Sequence, residues 1–198
     1  MKTFFITLGV ISIIVAALVA FVSKSIQDTE QQEYEVLKEY EAFEIRRYAP
    51  ALYSSVKLAA DSYKSVSSQG FRTLAGYIFG GNATEEKIAM TTPVTMELRD
   101  TSKMMFLVPK AWDKDSLPKP NNSEIYFEEY PERTVAAIRF GGWADDKKIK
   151  KHTEQLIQLL ETEGIKHTNE FAFLGYNPPY DVVNRRNEII VEIDWKAE

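Results

Sequence analysis

The chain repeats itself. Phe43 to Pro50 reads Phe-Glu-Ile-Arg-Arg-Tyr-Ala-Pro and leads into an alternating stretch, and Ile125 to Pro131 reads Ile-Tyr-Phe-Glu-Glu-Tyr-Pro and leads into another. Each is followed by a helical pattern closed by glycine, then by a proline-bearing segment (Thr91-Thr92-Pro93-Val94; Tyr176-Asn177-Pro178-Pro179), then by an apolar strand. Tyr48 and Tyr130 lie 82 residues apart, Pro93 and Pro178 85, and Phe106 and Ile189 83. That order predicts β-α-β-β performed twice, over about 34–110 and 124–195. One such unit leaves a sheet face uncovered, so two must pack together, and the crevice between a helix and the sheet becomes the natural place for a ligand.

The first residues stand apart. From Thr3 to Ser23 there is no charged residue, and at 1.5 Å per residue such a run crosses most of a hydrocarbon layer about 30 Å thick. Residues 1–23 are therefore expected to be an uncleaved transmembrane anchor, with a cleaved signal peptide as the alternative. Lys2 precedes the span, and the Asp28, Glu30 and Glu33 that follow outweigh Lys24. The N-terminus is then cytoplasmic, and the domain faces the periplasm or cell exterior, or is secreted if the segment is cleaved. Residues 24–33 read as a polar, acidic tether, and 34–196 as one domain.

A net charge of −5 supplies no basic field for a polyphosphate backbone, so nucleic acid is not an expected partner. Without cysteine there is no disulfide, thiolate nucleophile or thiolate metal ligand. Strands are expected at Tyr34 to Leu37, Ala42 to Tyr48, Leu52 to Leu58, Ile88 to Leu98, Met104 to Val108, Ile125 to Tyr130, Thr134 to Phe140, Phe171 to Tyr176 and Glu188 to Asp194. A first helix is expected from Asp61 to Phe79, capped by Asp61 or Ser62 and stopped by Gly80-Gly81; Ser65, Ser67, Ser68, Gly70 and Gly76 weaken it, so packing or a ligand must hold it. A second begins at Asp145-Asp146, turns Ile149, Leu156 and Leu160 inward and exits at Gly164.

No catalytic constellation is recognisable, and no enzymatic activity is expected. The two histidines, His152 and His167, sit in no nucleophile-elbow, H-E-x-x-H or Walker pattern. His152 lies beside the apolar stripe of the second helix and is a weak candidate metal ligand, as is Met90 through its thioether.

Two motifs carry a resemblance. Ile78-Phe79-Gly80-Gly81-Asn82 followed by Ile88-Ala89-Met90-Thr91-Thr92-Pro93-Val94, and Gly175-Tyr176-Asn177-Pro178-Pro179-Tyr180 followed by Arg185-Arg186-Asn187-Glu188, resemble the signatures of the SOUL haem-binding protein family. The similarity runs from about Tyr34 to Ile193. It implies an α+β fold in which the two β-α-β-β repeats form a twisted antiparallel sheet or distorted barrel flanked by two helices. Bacterial effector-binding modules share this fold; here it would stand behind the N-terminal transmembrane helix.

The resemblance also implies haem or another tetrapyrrole as a non-covalent cofactor, held in a hydrophobic cleft between the first helix and the Asn-Pro-Pro loop. By position the cleft is lined by Phe71, Leu74, Ala75, Ile78 and Phe79, with Tyr180, Val182 and Val183 opposite, and Arg72, Arg185 and Arg186 meet the propionates. A flat apolar plate with two carboxylates on one edge calls for such a slot and cationic rim. Some family members carry an axial histidine near the strands before the first helix, but residues 34–70 hold no histidine, so that ligation does not carry over. His152, Met90, Tyr77 or Tyr180 would have to ligate iron, if anything does. The alternative is a hydrolase or effector-binding module acting on another small molecule in the same cleft.

Overall fold

The computed structural model describes residues 29–59, 62–97, 102–178, 181 and 184–196. The expected anchor, Thr3 to Ser23, lies outside them; among the described residues no helix is long and apolar enough to cross a membrane.

The elements in chain order are β1 (Tyr34–Glu39), β2 (Glu44–Tyr48), β3 (Ala51–Leu58), α1 (Tyr63–Ile78), β4 (Val94–Glu97), β5 (Ser102–Leu107), β6 (Ile125–Tyr130), β7 (Arg133–Phe140), α2 (Asp146–Thr162), β8 (His167–Gly175) and β9 (Asn187–Ile193). The nine strands of the described residues join one antiparallel sheet in the order β1-β2-β7-β9-β8-β4-β5-β3-β6. The duplication is visible in that order. β3-β5-β4 from the first half mirrors β7-β9-β8 from the second, and the two meet where Thr95 of β4 faces Leu174 of β8. The strand leading each repeat is exchanged: β2 pairs with β7, and β6 with β3.

The two helices cover one sheet face. α1 lies over β3 and β5, while α2 lies over β7, β9 and β8. Between them and the sheet sit Leu74, Tyr77 and Ile78 of α1, Ile149, Leu156 and Leu160 of α2, and Val56, Leu58, Phe106, Phe173 and Val191 of the strands. On the other face Tyr48, Tyr53, Met105, Leu174 and Ile190 are as fully buried, although neither helix covers them. Only a sheet that curls round on itself can bury them, which is the half-closed form of the expected twisted sheet or distorted barrel.

One local expectation is corrected and two are filled in. Among the described residues the strand expected over Ile88 to Leu98 forms only at Val94–Glu97, and Leu98 lies outside them. Pro93 has no N–H to donate, Ile88 N–H bonds back to Ile78 O at 2.8 Å, and the Thr91 hydroxyl donates to Leu107 O at 2.6 Å, so the stretch buttresses the helix end instead of extending the ladder. The start of α1 is capped from across the molecule: Tyr63 N–H donates to Asp146 Oδ1 at 2.6 Å and Lys64 N–H to Oδ2 at 3.4 Å. A carboxylate at a helix N-terminus satisfies orphan donors and meets the positive end of the dipole. Of the two expected caps, Asp61 lies outside the described residues, and Ser62 stands directly before the first helical residue. Finally, Gly70 is a weak helix former for a packing reason, since a Cβ there would stand 2.7 Å from Leu58 Cδ1 and 3.1 Å from Met104 Sδ. Helix and sheet approach closely at that point.

Candidate functional site

The Gly80-Gly81-Asn82 turn builds one end of the region. Gly81 N–H donates to Gly76 O at 2.8 Å, an approach that would put a Cβ 2.6 Å from the same oxygen, so only glycine fits. Asn82, fully buried, then ties the turn together: its Nδ2 donates to Tyr77 O (3.2 Å) and Glu86 O (2.8 Å), and its Oδ1 accepts from Thr84 N (3.3 Å) and Glu86 N (3.1 Å). The inter-repeat linker docks on the same turn through Ala83 N to Lys119 O and Asn121 N to Gly81 O. This motif shapes the end of α1.

The chain reaches the second motif through β8 and leaves it along β9. Asn177 accepts from Arg186 N–H at 2.6 Å and donates to Asp181. Arg185 donates to the carbonyls of Pro178 (2.9 Å), Asp181 (2.6 Å) and Asn177 (3.2 Å), so one guanidinium gathers the loop. Its face lies 4.1 Å from the ring centre of Trp143, a side chain 52 % exposed. Arg186 stacks on Tyr176 at 3.9 Å, donates to Glu188 Oε1 at 2.8 Å, and reaches Tyr34 OH at 3.0 Å.

Glu188 is 0 % exposed, and from the other side Arg46 donates to both its oxygens, at 2.7 and 3.2 Å, while Tyr176 OH donates at 2.9 Å. Arg46 also pairs with Glu44 at 2.7 Å, which completes a neutral set of two guanidinium and two carboxylate groups. Burial alone would push the Glu188 carboxyl up, but the hydrogen bonds and charges of Arg46 and Arg186 hold it below the usual carboxylate range. Burial pushes the Tyr176 phenol far up, so it remains a donor.

The predicted lining residues divide by helix face. Leu74, Ala75 and Ile78 point at the sheet and are buried in the core. Phe79 points outward, 62 % exposed, whereas Phe71 is 37 % exposed and lays its ring 5.4 Å from that of the buried Phe106, so only part of it meets solvent; Arg72 stands exposed beside it. Among the described residues the only bond of Arg72 runs from Nε to Ser68 O at 3.4 Å. Tyr180, Val182 and Val183 lie outside the described residues. Sequence reasoning passed over Trp143, whose signal was a tryptophan directly after Gly141-Gly142.

The candidate metal ligands are placed as follows. His152 Nδ1–H donates to Lys148 O at 2.7 Å and its ring stacks on Phe140 at 4.1 Å. Met90 is partly buried and packs against the core. Tyr77 OH donates to Pro118 O at 3.0 Å, and burial pushes its pKa up to about 12, so it stays a neutral phenol. Among the described residues no group of three or more histidine, aspartate or glutamate side chains is placed to hold a metal ion.

A porphyrin needs exposed apolar surface next to a cation. Among the described residues four large apolar side chains are exposed, and two of them, Phe71 and Phe79, flank Arg72 along about 12 Å of helix. The residues present on this stretch fit the group.

Known proteins agree with this architecture. The profile of the SOUL heme-binding protein family matches residues 29–192. Heme-binding protein 2 of Mus musculus is 32 % identical, the match covering 75 % of this chain and 76 % of that protein; the human protein of the same name is 30 % identical at the same coverage. The fold is similar to the crystal structure of the EcmrR C-terminal domain, with a TM-score of 0.61 at 14 % identity over 81 % of this chain and 98 % of that one, a likeness of fold alone. The chain belongs to the SOUL heme-binding protein family.

Proposed function

We propose that this chain is a binding module that holds haem or a related tetrapyrrole reversibly and without a covalent bond, against the outer face of α1 and the Asn-Pro-Pro loop. The observation that carries the reading is the exposed Phe71-Arg72-Phe79 stretch in a member of this family. Phe71 and Phe79 supply apolar contact, each Å² buried contributing about 25 cal/mol before association costs. Arg72 is the partner of a propionate. Arg185 and Arg186 act one step back, holding the loop in which Tyr180, Val182 and Val183 are the proposed further contacts. Bound haem supplies its iron and its visible absorption, and the chain supplies the slot and the cation.

Titrating the full-length chain with hemin is expected to give a saturable shift of the Soret band. Phe79→Asp and Arg72→Glu, both at exposed positions, are each expected to weaken binding about tenfold, or ~1.4 kcal/mol. A hemin spectrum that never saturates, or that neither substitution alters, would overturn the proposal.

Membrane attachment through residues 1–23, with the domain facing the periplasm or cell exterior, is part of the same reading and rests on the uncharged run from Thr3 to Ser23. The intact mass of the mature protein is expected to include those residues. A mass lacking them would make this a secreted protein.

A further inference from the structure

Of the four large apolar side chains exposed among the described residues, Val36, Phe71, Phe79 and Trp143, the last is the largest, and the haem surface on α1 leaves it unused. Three contacts fix its place. Asn187 Nδ2 donates to Gly142 O at 2.8 Å, which pins the Gly141-Gly142-Trp143 turn to β9. Three residues on, Asp146 caps the start of α1 at Tyr63 and Lys64. Arg185, the guanidinium that gathers the Asn-Pro-Pro loop, lies over the indole at 4.1 Å. The indole therefore stands where the loop meets the first turn of α1, backed by Arg185 and with half of its surface in water.

Two features mark this ring as a contact. Indole is among the largest apolar surfaces a side chain offers, and leaving half of it in water forgoes its burial; a ring already held from behind can be covered by a ligand with little further loss of rotamer freedom. A cation also stands beside it. Lys148 Nζ lies 3.0 Å from where a Cβ would sit on Gly142, so the lysine folds back over the glycine turn that presents Trp143. The neighbouring acids are occupied: Asp145 accepts from Lys148 N–H, Asp146 from the start of α1, and Asp181 from Asn177. Further along α2 Lys150 pairs with Glu154 at 3.9 Å, whereas among the described residues Lys148 has no ion pair. An open aromatic plate beside an uncommitted ammonium suits a flat apolar ligand that carries a carboxylate.

We infer that Trp143 and Lys148 are ligand contacts of the tetrapyrrole surface, an inference that rests on the haem reading above. The open face of the indole stacks on the macrocycle and the Lys148 ammonium takes a propionate. Arg185 touches no ligand; it stiffens the indole from behind and ties it to the loop.

Hemin titration of the full-length chain is the first test. Trp143→Ala is expected to weaken hemin about tenfold, and Trp143→Phe by less than about threefold, because a phenyl ring still offers a plate. Lys148→Gln is expected to weaken hemin about threefold and to leave hemin dimethyl ester, which has no free propionate, unaffected. Contact itself is read by NMR with diamagnetic zinc protoporphyrin IX: the indole N–H resonance that disappears in Trp143→Phe is expected to move upfield under the ring current, and those of Trp112 and Trp195 to stay. A wild type without a saturable hemin spectrum would overturn the haem reading and this contact with it. Where the wild type does bind, an unmoved Trp143 resonance, undiminished hemin affinity in Trp143→Ala, or equal weakening of hemin and its dimethyl ester by Lys148→Gln would overturn the contact alone. Should Trp143→Ala fail to fold, the wild-type resonance decides.

Discussion

Glu188→Gln is expected to destabilise the protein by about 3–5 kcal/mol, the cost of breaking a fully buried ion pair. Urea unfolding followed by tryptophan fluorescence would show it as a large drop in midpoint at unchanged slope. The size follows from what the substitution strands. Arg46 and Arg186 both close on this one carboxylate, Arg46 is itself buried, and only Glu44 would remain to balance the two positive charges. An amide matches the shape but turns a two-oxygen acceptor into a group with one, beside two guanidinium forks that offer only donors.

The same residue sets an acid limit. Its carboxyl is held low in the folded protein, so its contribution is fully present above the unfolded value, about 4.3 for glutamate, and is lost as pH falls through the folded value. Wild type is expected to lose stability steeply below about pH 4, and Glu188→Gln to lose much less over that range because it has no proton to take up there. Parallel acid profiles of the two proteins would refute this account of the network.

Asn82→Ala is expected to cost about 3 kcal/mol, the second-largest effect, because several buried backbone groups lose their partner together. Asn82→Asp is expected to be as damaging despite its near-identical shape. Nδ2 faces the carbonyls of Tyr77 and Glu86, and an oxygen in its place would repel both. The decisive comparison is with hemin affinity measured on whatever protein remains folded. If Asn82 acts only as the knot at the end of α1, affinity per folded molecule stays within about twofold. Lost affinity at full stability would instead make the Gly-Gly-Asn motif part of the binding surface.

Much of the architecture was legible because it is written locally. The doubled order of elements, the inward stripe Ile149, Leu156 and Leu160, and the Asp145 cap, whose side chain accepts from Lys148 N–H, all follow from spacing within one segment. What escaped depends on residues far apart in the chain. Asp146 caps a helix 83 positions earlier, and Arg46 finds Glu188 across 142 residues. Nothing near Tyr63 or Arg46 announces either partner.

The arginine pair illustrates the limit. Arg185 and Arg186 read alike in sequence, yet strand alternation puts Arg186 on the same side as Glu188, two residues on, and leaves Arg185 to the loop. The lining residues of α1 divide by degree: Phe71 and Leu74 both fit a helical apolar pattern, yet Leu74 is fully buried while Phe71 reaches Phe106 of β5 and stays partly exposed.

The exchange of leading strands reaches into biosynthesis. β2 pairs with β1 on one flank and finds its other neighbour only in β7, β3 stays bare on the flank that β6 later covers, and β4 waits for β8. While the ribosome works toward residue 175, the earlier half therefore carries unfinished edges on three of its strands, so it cannot complete itself as a free-standing intermediate and must wait for the later half to emerge.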